Sequence, residues 1–251
     1  MTPPPELFDM RLRSMRRDRA LRTGPALFLH DRAFDDIVER LKHVNRRFDN
    51  ALLVGAANPQ WIELLKEVAK SVEAVELARE DELDLEPGNF DLAVAIGSLD
   101  TVNDLSTALL RLRFLLKPDS FLIGAMSGGD TLPRLRQAMR AADSLMGAAA
   151  PHIHPRVEPS ALAQLLIAAG FAMPVVDVDR IRVSYSGLRK LVADLRAMGA
   201  TNVLRQRSKT PLSRSALNAA ERDFSSGQKD GRTLETFEIL HFAAWSPPEQ
   251  P

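Results

Sequence analysis

Between residues 50 and 126 the chain alternates short, uniformly apolar runs with amphipathic segments, and few folds accept that pattern. The run "ALLV" at 51–54 is too short and too uniformly apolar for a surface helix, so it reads as a strand buried on both faces. "SVEAVEL" at 71–77 is a second strand candidate. After the turn signal "EPGN" comes "FDLAVAIGSL" at 90–99, the strongest buried-strand signal in the chain, and then "SFLIGAM" at 120–126. Ile62, Leu65 and Val68 mark a helix between the first two strands. Residues 103–116 form another, opened by Asn103 or Asp104 as cap and closed at Lys117 and Pro118. Upstream, Phe34, Ile37, Val38, Leu41 and Val44 recur at three- and four-residue steps, one buried stripe under a charged face. This alternation predicts an α/β, doubly wound, mostly parallel sheet whose binding crevice lies beyond the carboxyl ends of the strands.

Downstream the pattern predicts a helix from about Asp130 to Met146, with Asp130 as a good N-cap. A second helix near 159–169 is stopped by Gly170, and a third lies in "GLRKLVADLRAMG". A further helix runs from about Ser213 to Phe224. The strands "AMPVVDVDRIRVSY" and "TLETFEILHFAAW" are long and late, and would add an antiparallel C-terminal edge to the parallel sheet. Ahead of everything stands "RLRSMRRDRALR" at 11–22, a basic helix that is either a solvated face or a dock for an acidic partner or nucleic acid. The organisation expected is a basic N-terminal helical arm over 1–30 and a single domain over 31–251, with helical insertions at about 130–170 and about 186–225.

Composition narrows the function classes. Lys+Arg and Asp+Glu are equal at 33 each, so no net field draws the chain to nucleic acid or membrane, and an electrostatic partner must be met by a local patch. The absence of cysteine excludes disulfides, thiolate nucleophiles and sulfur-ligated metals. No apolar run approaches the ~18–20 residues of a membrane span, and a signal-peptide core is absent from the N-terminus. A cytoplasmic protein is expected.

The candidate sites each have a plain reading beside the functional one. In "ALLVGAANPQW" an apolar strand reaches Gly55 where a nucleotide-binding turn would begin, but Ala57 adds a Cβ and Pro59 removes an N–H. A simple strand-to-helix turn with Asn58 as cap competes evenly with a cofactor loop. Glu76 ends the second strand, where a carboxylate could hold a ribose, or it belongs to a solvated acidic loop. "GAMSGGDTL" places Gly128, Gly129 and Asp130 at a strand-to-helix junction, either a substrate loop or a capped helix start. His152 and His154 in "PHIHP" could share a metal in extended chain, but without supporting ligands at a fitting spacing they read as rigid loop residues, and no metal is expected. Tyr185, the only tyrosine, is a substrate contact or a packing residue.

Four stretches, "RRFDNALLVGAANPQWI", "FDLAVAIGSLDTVNDLSTALLRLRFLLKPDSFLIGAMSGGDTLPRLRQAM", "PHIHPR" and "VSYSGLRKLVADLRAMGATN", together resemble the class I S-adenosylmethionine-dependent methyltransferases. More closely they resemble the branch of the mitochondrial complex I assembly factor 5, associated with hydroxylation of an arginine, and its bacterial relatives. That bacterial branch is also similar to the malonyl-acyl carrier protein methyltransferase. The resemblance covers about residues 8 to 246 and implies a seven-stranded mixed sheet. It also implies S-adenosylmethionine in a glycine-rich first turn with an acidic residue after the second strand on the ribose. Carried onto this chain, the cofactor residues are Gly55, Ala57, Glu76, Gly97 and Ser98, and the substrate side is Gly128, Gly129, Asp130, His152 and Tyr185. A protein substrate or assembly partner, such as a complex I subunit, is implied as well.

The chain departs from the family in three places, all on the cofactor side. The strand acid and three alternating glycines read here as Leu53, Gly55, Ala57 and Pro59. The segment after Glu76 is too short for a helix plus a strand of normal length, so one strand and helix are shortened or missing there. The His-Trp pair of many relatives is Asp100 and Thr101. Two functions from different classes follow: a methyltransferase-like enzyme with an altered cofactor loop, and a non-catalytic assembly or chaperone-like factor that no longer binds the cofactor.

Overall fold

The computed structural model describes residues 6–55, 57–75 and 85–249. Its described elements run α1 (Met10–Thr23), α2 (Phe28–His43), β1 (Phe48–Val54), α3 (Gln60–Leu65), β2 (Ala69–Val75), β3 (Phe90–Ile96), a short 3-10 helix (Leu99–Thr101), α4 (Leu105–Leu115) and β4 (Leu116–Ser127). They continue with α5 (Pro133–Met146), α6 (Pro159–Ala168), β5 (Ala172–Tyr185), α7 (Leu188–Ala197), α8 (Arg214–Ser226) and β6 (Thr233–Trp245). The strands form one sheet in the order β2-β1-β3-β4-β6-β5. β1 pairs in parallel with β2 and β3, β3 in parallel with β4, and β4 antiparallel with β6 in the register Phe121 to Trp245 through Ser127 to Ile239. The mostly parallel, Rossmann-like sheet with its late antiparallel strand is therefore present. The place where a strand or helix was expected to be shortened, after Glu76, falls largely in 76–84, outside the described residues.

The chain divides into two compact units, with boundaries inside β5 and β6. The larger, residues 27–128, 156–179 and 239–251, holds the parallel strands. There Leu52, Val54, Ala93, Ala95 and Leu122 join Leu109 and Leu112 of α4 and Leu162 and Leu166 of α6 in one apolar cluster. Their sequence neighbours Leu53, Leu92 and Val94 point to the opposite face and are equally buried, so this sheet is covered on both sides. α2 packs against β3 and β4, and its stripe of Phe34, Ile37, Val38 and Leu41 is buried. This is why 51–54 of β1 and 92–96 of β3 read as unbroken apolar runs: neither face of these segments meets water.

The second unit, residues 1–26, 129–155 and 180–238, is mainly helical. α5 packs against α8, and α1 against α7. Several caps follow from sequence: Asp9 accepts from the Leu12 amide at 3.0 Å and Ser213 from the Ala216 amide at 3.2 Å, as does Asp104 of α4 from the Thr107 amide at 2.9 Å in the larger unit. The start of α5 differs from expectation. The helix begins at Pro133 rather than near Asp130. Its first-turn amides, Arg134 and Leu135, donate at 3.1 and 2.8 Å to the carboxylate of Glu235, which arrives from β6. A buried tertiary carboxylate thus does the work that Asp130 was expected to do locally.

Candidate functional site

In the larger unit the end of β1 turns at Gly55, whose φ is +91°. A Cβ on Gly55 would stand 2.2 Å from the carbonyl oxygen of Ile96 and 3.3 Å from Cβ of Ser98. The turn therefore lies directly on the end of β3, and the structure brings Gly55, Gly97 and Ser98 together. Gly97 also has positive φ, +61°, and a Cβ there would come within 2.8 Å of the His30 ring. Ser98 is fully buried.

Two amides of the turn are engaged within the chain. The Gly55 amide donates to Val75 O at 3.1 Å and the Ala57 amide to Gly55 O at 2.8 Å, while Pro59 has no N–H. Asn58 accepts from the Gln60 amide at 3.0 Å and donates from Nδ2 to Asp31 Oδ1 at 2.9 Å. The indole N–H of Trp61 donates to the same oxygen at 2.9 Å, and its ring stacks on Phe34 at a centroid distance of 4.9 Å. Leu53, which stands where the family carries a strand acid, is buried in the sheet, and Glu76 lies outside the described residues.

A cofactor held in a glycine turn needs space where Cβ atoms are missing and amides that point at it. Here the space at Gly55 is filled by Ile96 and that at Gly97 by His30, and the amides of Gly55 and Ala57 are spent on the chain itself. The described residues of this turn do not fit S-adenosylmethionine held in the manner the resemblance implies.

The loop after β3 carries a pair that sequence reasoning missed. Arg156 donates from Nη1 to the Asp100 carboxylate at 2.7 Å and to its backbone carbonyl at 3.1 Å, with side chains only 7% and 14% exposed. The signal was available: Asp100 breaks the His-Trp pattern, and a new buried acid calls for a cation. Nothing in the spacing between 100 and 156 names that cation, which sits just ahead of α6.

In the helical unit the residues expected on the substrate side engage separate neighbours. Asp130 is exposed and pairs with Arg180 at 3.3 Å; its amide donates to Glu238 Oε1, also at 3.3 Å. Glu238, buried, holds Arg180 at 2.8 Å, and its backbone exchanges hydrogen bonds with the Thr131 hydroxyl at 3.0 and 3.1 Å. The turn from Gly129 to Leu132 is thus pinned to β6; Gly128 ends the first segment of the larger unit. His152 Nε2 meets Asp143 at 2.8 Å, whereas His154 Nε2, buried, accepts from the Val203 amide at 2.9 Å. The two imidazoles are committed to different partners, and among the described residues no three His, Cys, Asp or Glu side chains are grouped to hold a metal. Tyr185 is buried, and that burial, with Asp194 and Glu235 nearby, raises its pKa. Burial likewise raises the pKa of Glu235, against the opposing pull of the amides it accepts.

Comparison with known proteins agrees with this architecture. Residues 27–174 match the methyltransferase domain family. The arginine-hydroxylase NDUFAF5 of Danio rerio is 32% identical over 96% of this chain and 83% of its own length. The malonyl-[acyl-carrier protein] O-methyltransferase of Laribacter hongkongensis is 31% identical over 68% of this chain and 56% of its own. Of the mouse, rat and human proteins named as NDUFAF5, the chain spans about half the length. In fold it is similar to a Bacillus halodurans crystal structure described as a methyltransferase, at 11% identity, with a TM-score of 0.52 over 84% of this chain and 98% of the other. Among the described residues no helix is long and apolar enough to cross a membrane. The chain belongs to the class I S-adenosylmethionine-dependent methyltransferase family, in the branch that includes the arginine-hydroxylase NDUFAF5.

Proposed function

We propose that this methyltransferase-like chain works in the assembly of respiratory complex I, on or with a protein partner such as a subunit of that complex. The observation that carries the reading is the 32% identity to the zebrafish arginine-hydroxylase, which extends over 96% of this chain and so includes the helical segments beyond the methyltransferase domain match. Gly128, Gly129, Asp130, His152 and Tyr185 are the residues assigned to the protein acceptor. In an active member S-adenosylmethionine would be held by Gly55, Ala57, Glu76, Gly97 and Ser98.

Relatives of this chain carry the names of two chemistries, arginine hydroxylation and O-methylation, so its own chemistry depends on its own turn. The geometry of the described residues of that turn is the observation behind a second reading: a non-catalytic assembly factor. Gly55 and Gly97 serve the contacts with β3 and α2, and the amides of Gly55 and Ala57 are satisfied within the chain. Calorimetric titration with S-adenosylmethionine and S-adenosylhomocysteine separates the two. The role in assembly is tested apart from it, by deleting the gene and following complex I on native gels. Intact complex I in the deleted strain would end the assembly reading whatever the titration gives.

A further inference from the structure

The helical unit holds a basic cleft that the reading above does not use. α1 and α7 meet near their C-terminal ends. The Ala26 amide donates to Ala197 O at 3.2 Å, and at Gly199 a Cβ would stand 3.2 Å from the backbone of Arg17. Beside this joint lies a cleft of about 460 Å³ lined by Arg19, Thr23, Gly24, Ala193, Arg196 and Ala197.

Its charge is uncompensated. Arg205 pairs with Glu6 and Arg207 with Asp9, the latter at 3.6 Å, and one Arg16 guanidinium N–H is spent on the carbonyl of Asn202. Arg19 and Arg196 have no carboxylate partner among the described residues. Cations are common in the last turn of a helix, where they complement the helix dipole. That accounts for Arg196 but not for the gathering of Arg16, Arg19, Arg196 and Arg207. These charges act on one another: burial, then Arg207 and Arg19, lower the pKa of Arg16, with Arg196 adding to the effect against the opposing pull of Asp9. An anion in the cleft would relieve that repulsion.

We propose that this cleft binds an acidic segment of a protein, whose carboxylates meet the guanidiniums of Arg19 and Arg196. One feature selects a peptide over a nucleic acid. The patch is local, on a chain of zero net charge, and so offers no continuous basic track to a phosphate backbone. A bidentate guanidinium–carboxylate pair matches the residue type used. The proposal names the kind of partner for the assembly role, but it stands on its own geometry.

The test is titration of the full chain with a fluorescein-labelled oligoglutamate peptide and, separately, with single-stranded DNA of equal charge, at low and physiological salt. The variants are R19Q/R196Q and, as an exposed arginine outside the cleft, R222Q, each checked for native circular dichroism. The peptide should bind the wild type more tightly than the DNA does. R19Q/R196Q should weaken that binding by about tenfold or more, and R222Q by less than about twofold. Equal peptide affinity in R19Q/R196Q, tighter binding of the DNA, or no binding of the peptide at low salt would overturn the proposal. Because this readout involves neither complex I nor S-adenosylmethionine, its failure is distinguishable from failure of the assembly reading.

Discussion

Gly55 and Ile96 are in such close contact that a side chain on the first would collide with the carbonyl of the second: the Cβ position lies 2.2 Å from that oxygen. A glycine that would be read from sequence as a mark of cofactor binding is required here by the joint between two parallel strands. Gly55→Ala should therefore lower stability, by about 1–3 kcal/mol for the overlap and the strain at φ +91° together. Thermal unfolding checks this. A melting temperature equal to that of the wild type would show that the joint has room, and would return the glycine to a ligand role.

The Asp100–Arg156 pair should behave as a buried ion pair. Arg156→Met leaves a carboxylate 14% exposed without its cation and should destabilise by roughly 3 kcal/mol. The double variant Asp100→Asn/Arg156→Met should recover much of that loss. A double-mutant cycle in urea measures the coupling, and additive losses would contradict a direct interaction.

Asp31 fixes the turn from the other side, since one of its oxygens accepts from both Trp61 and Asn58. Asp31→Ala should cost about 1–3 kcal/mol through the two donors it strands. It should also change the fluorescence of Trp61, which the variant Trp245→Phe isolates. An unchanged spectrum with unchanged stability would dissociate Asp31 from the turn.

His241 predicts a pH dependence. Its ring is buried, with Nδ1 3.1 Å from Asp36 Oδ2, in a network where Arg40 bridges Asp36 and Asp177 and Arg32 meets Asp179. Burial lowers its pKa below 6.5, opposed by Asp36 and reinforced by Arg40. The unfolded chain then binds a proton more readily than the folded one. The stability from neutral His241 is present above the unfolded pKa and is lost as pH falls from there through the folded value. Between about pH 7 and about pH 5 the wild type should lose more stability than His241→Gln. Parallel pH profiles would mean that His241 is not desolvated in the fold.

Much of the architecture was legible in the sequence because the larger unit obeys local rules. Buried parallel strands read as unbroken apolar runs, as 92–96 does, and caps such as Asp104 and Ser213 lie beside the helices they start. What escaped was tertiary. Glu235 caps α5 from 100 residues away, and Asp100 finds its cation 56 residues on, and no window of sequence contains either pair. The turn at Gly55 was ambiguous for a related reason. One glycine satisfies a ligand contact and a strand contact equally well in sequence, and only the position of Ile96 separates them.

The measurement that bears most directly on the account is calorimetric titration of the full chain with S-adenosylmethionine and S-adenosylhomocysteine, after mass spectrometry for any small molecule that co-purifies. The account of the turn as a structural joint predicts no co-purified cofactor and no binding heat for either compound. Saturable binding in the micromolar range, on the order of −8 kcal/mol, would contradict it and restore the catalytic reading.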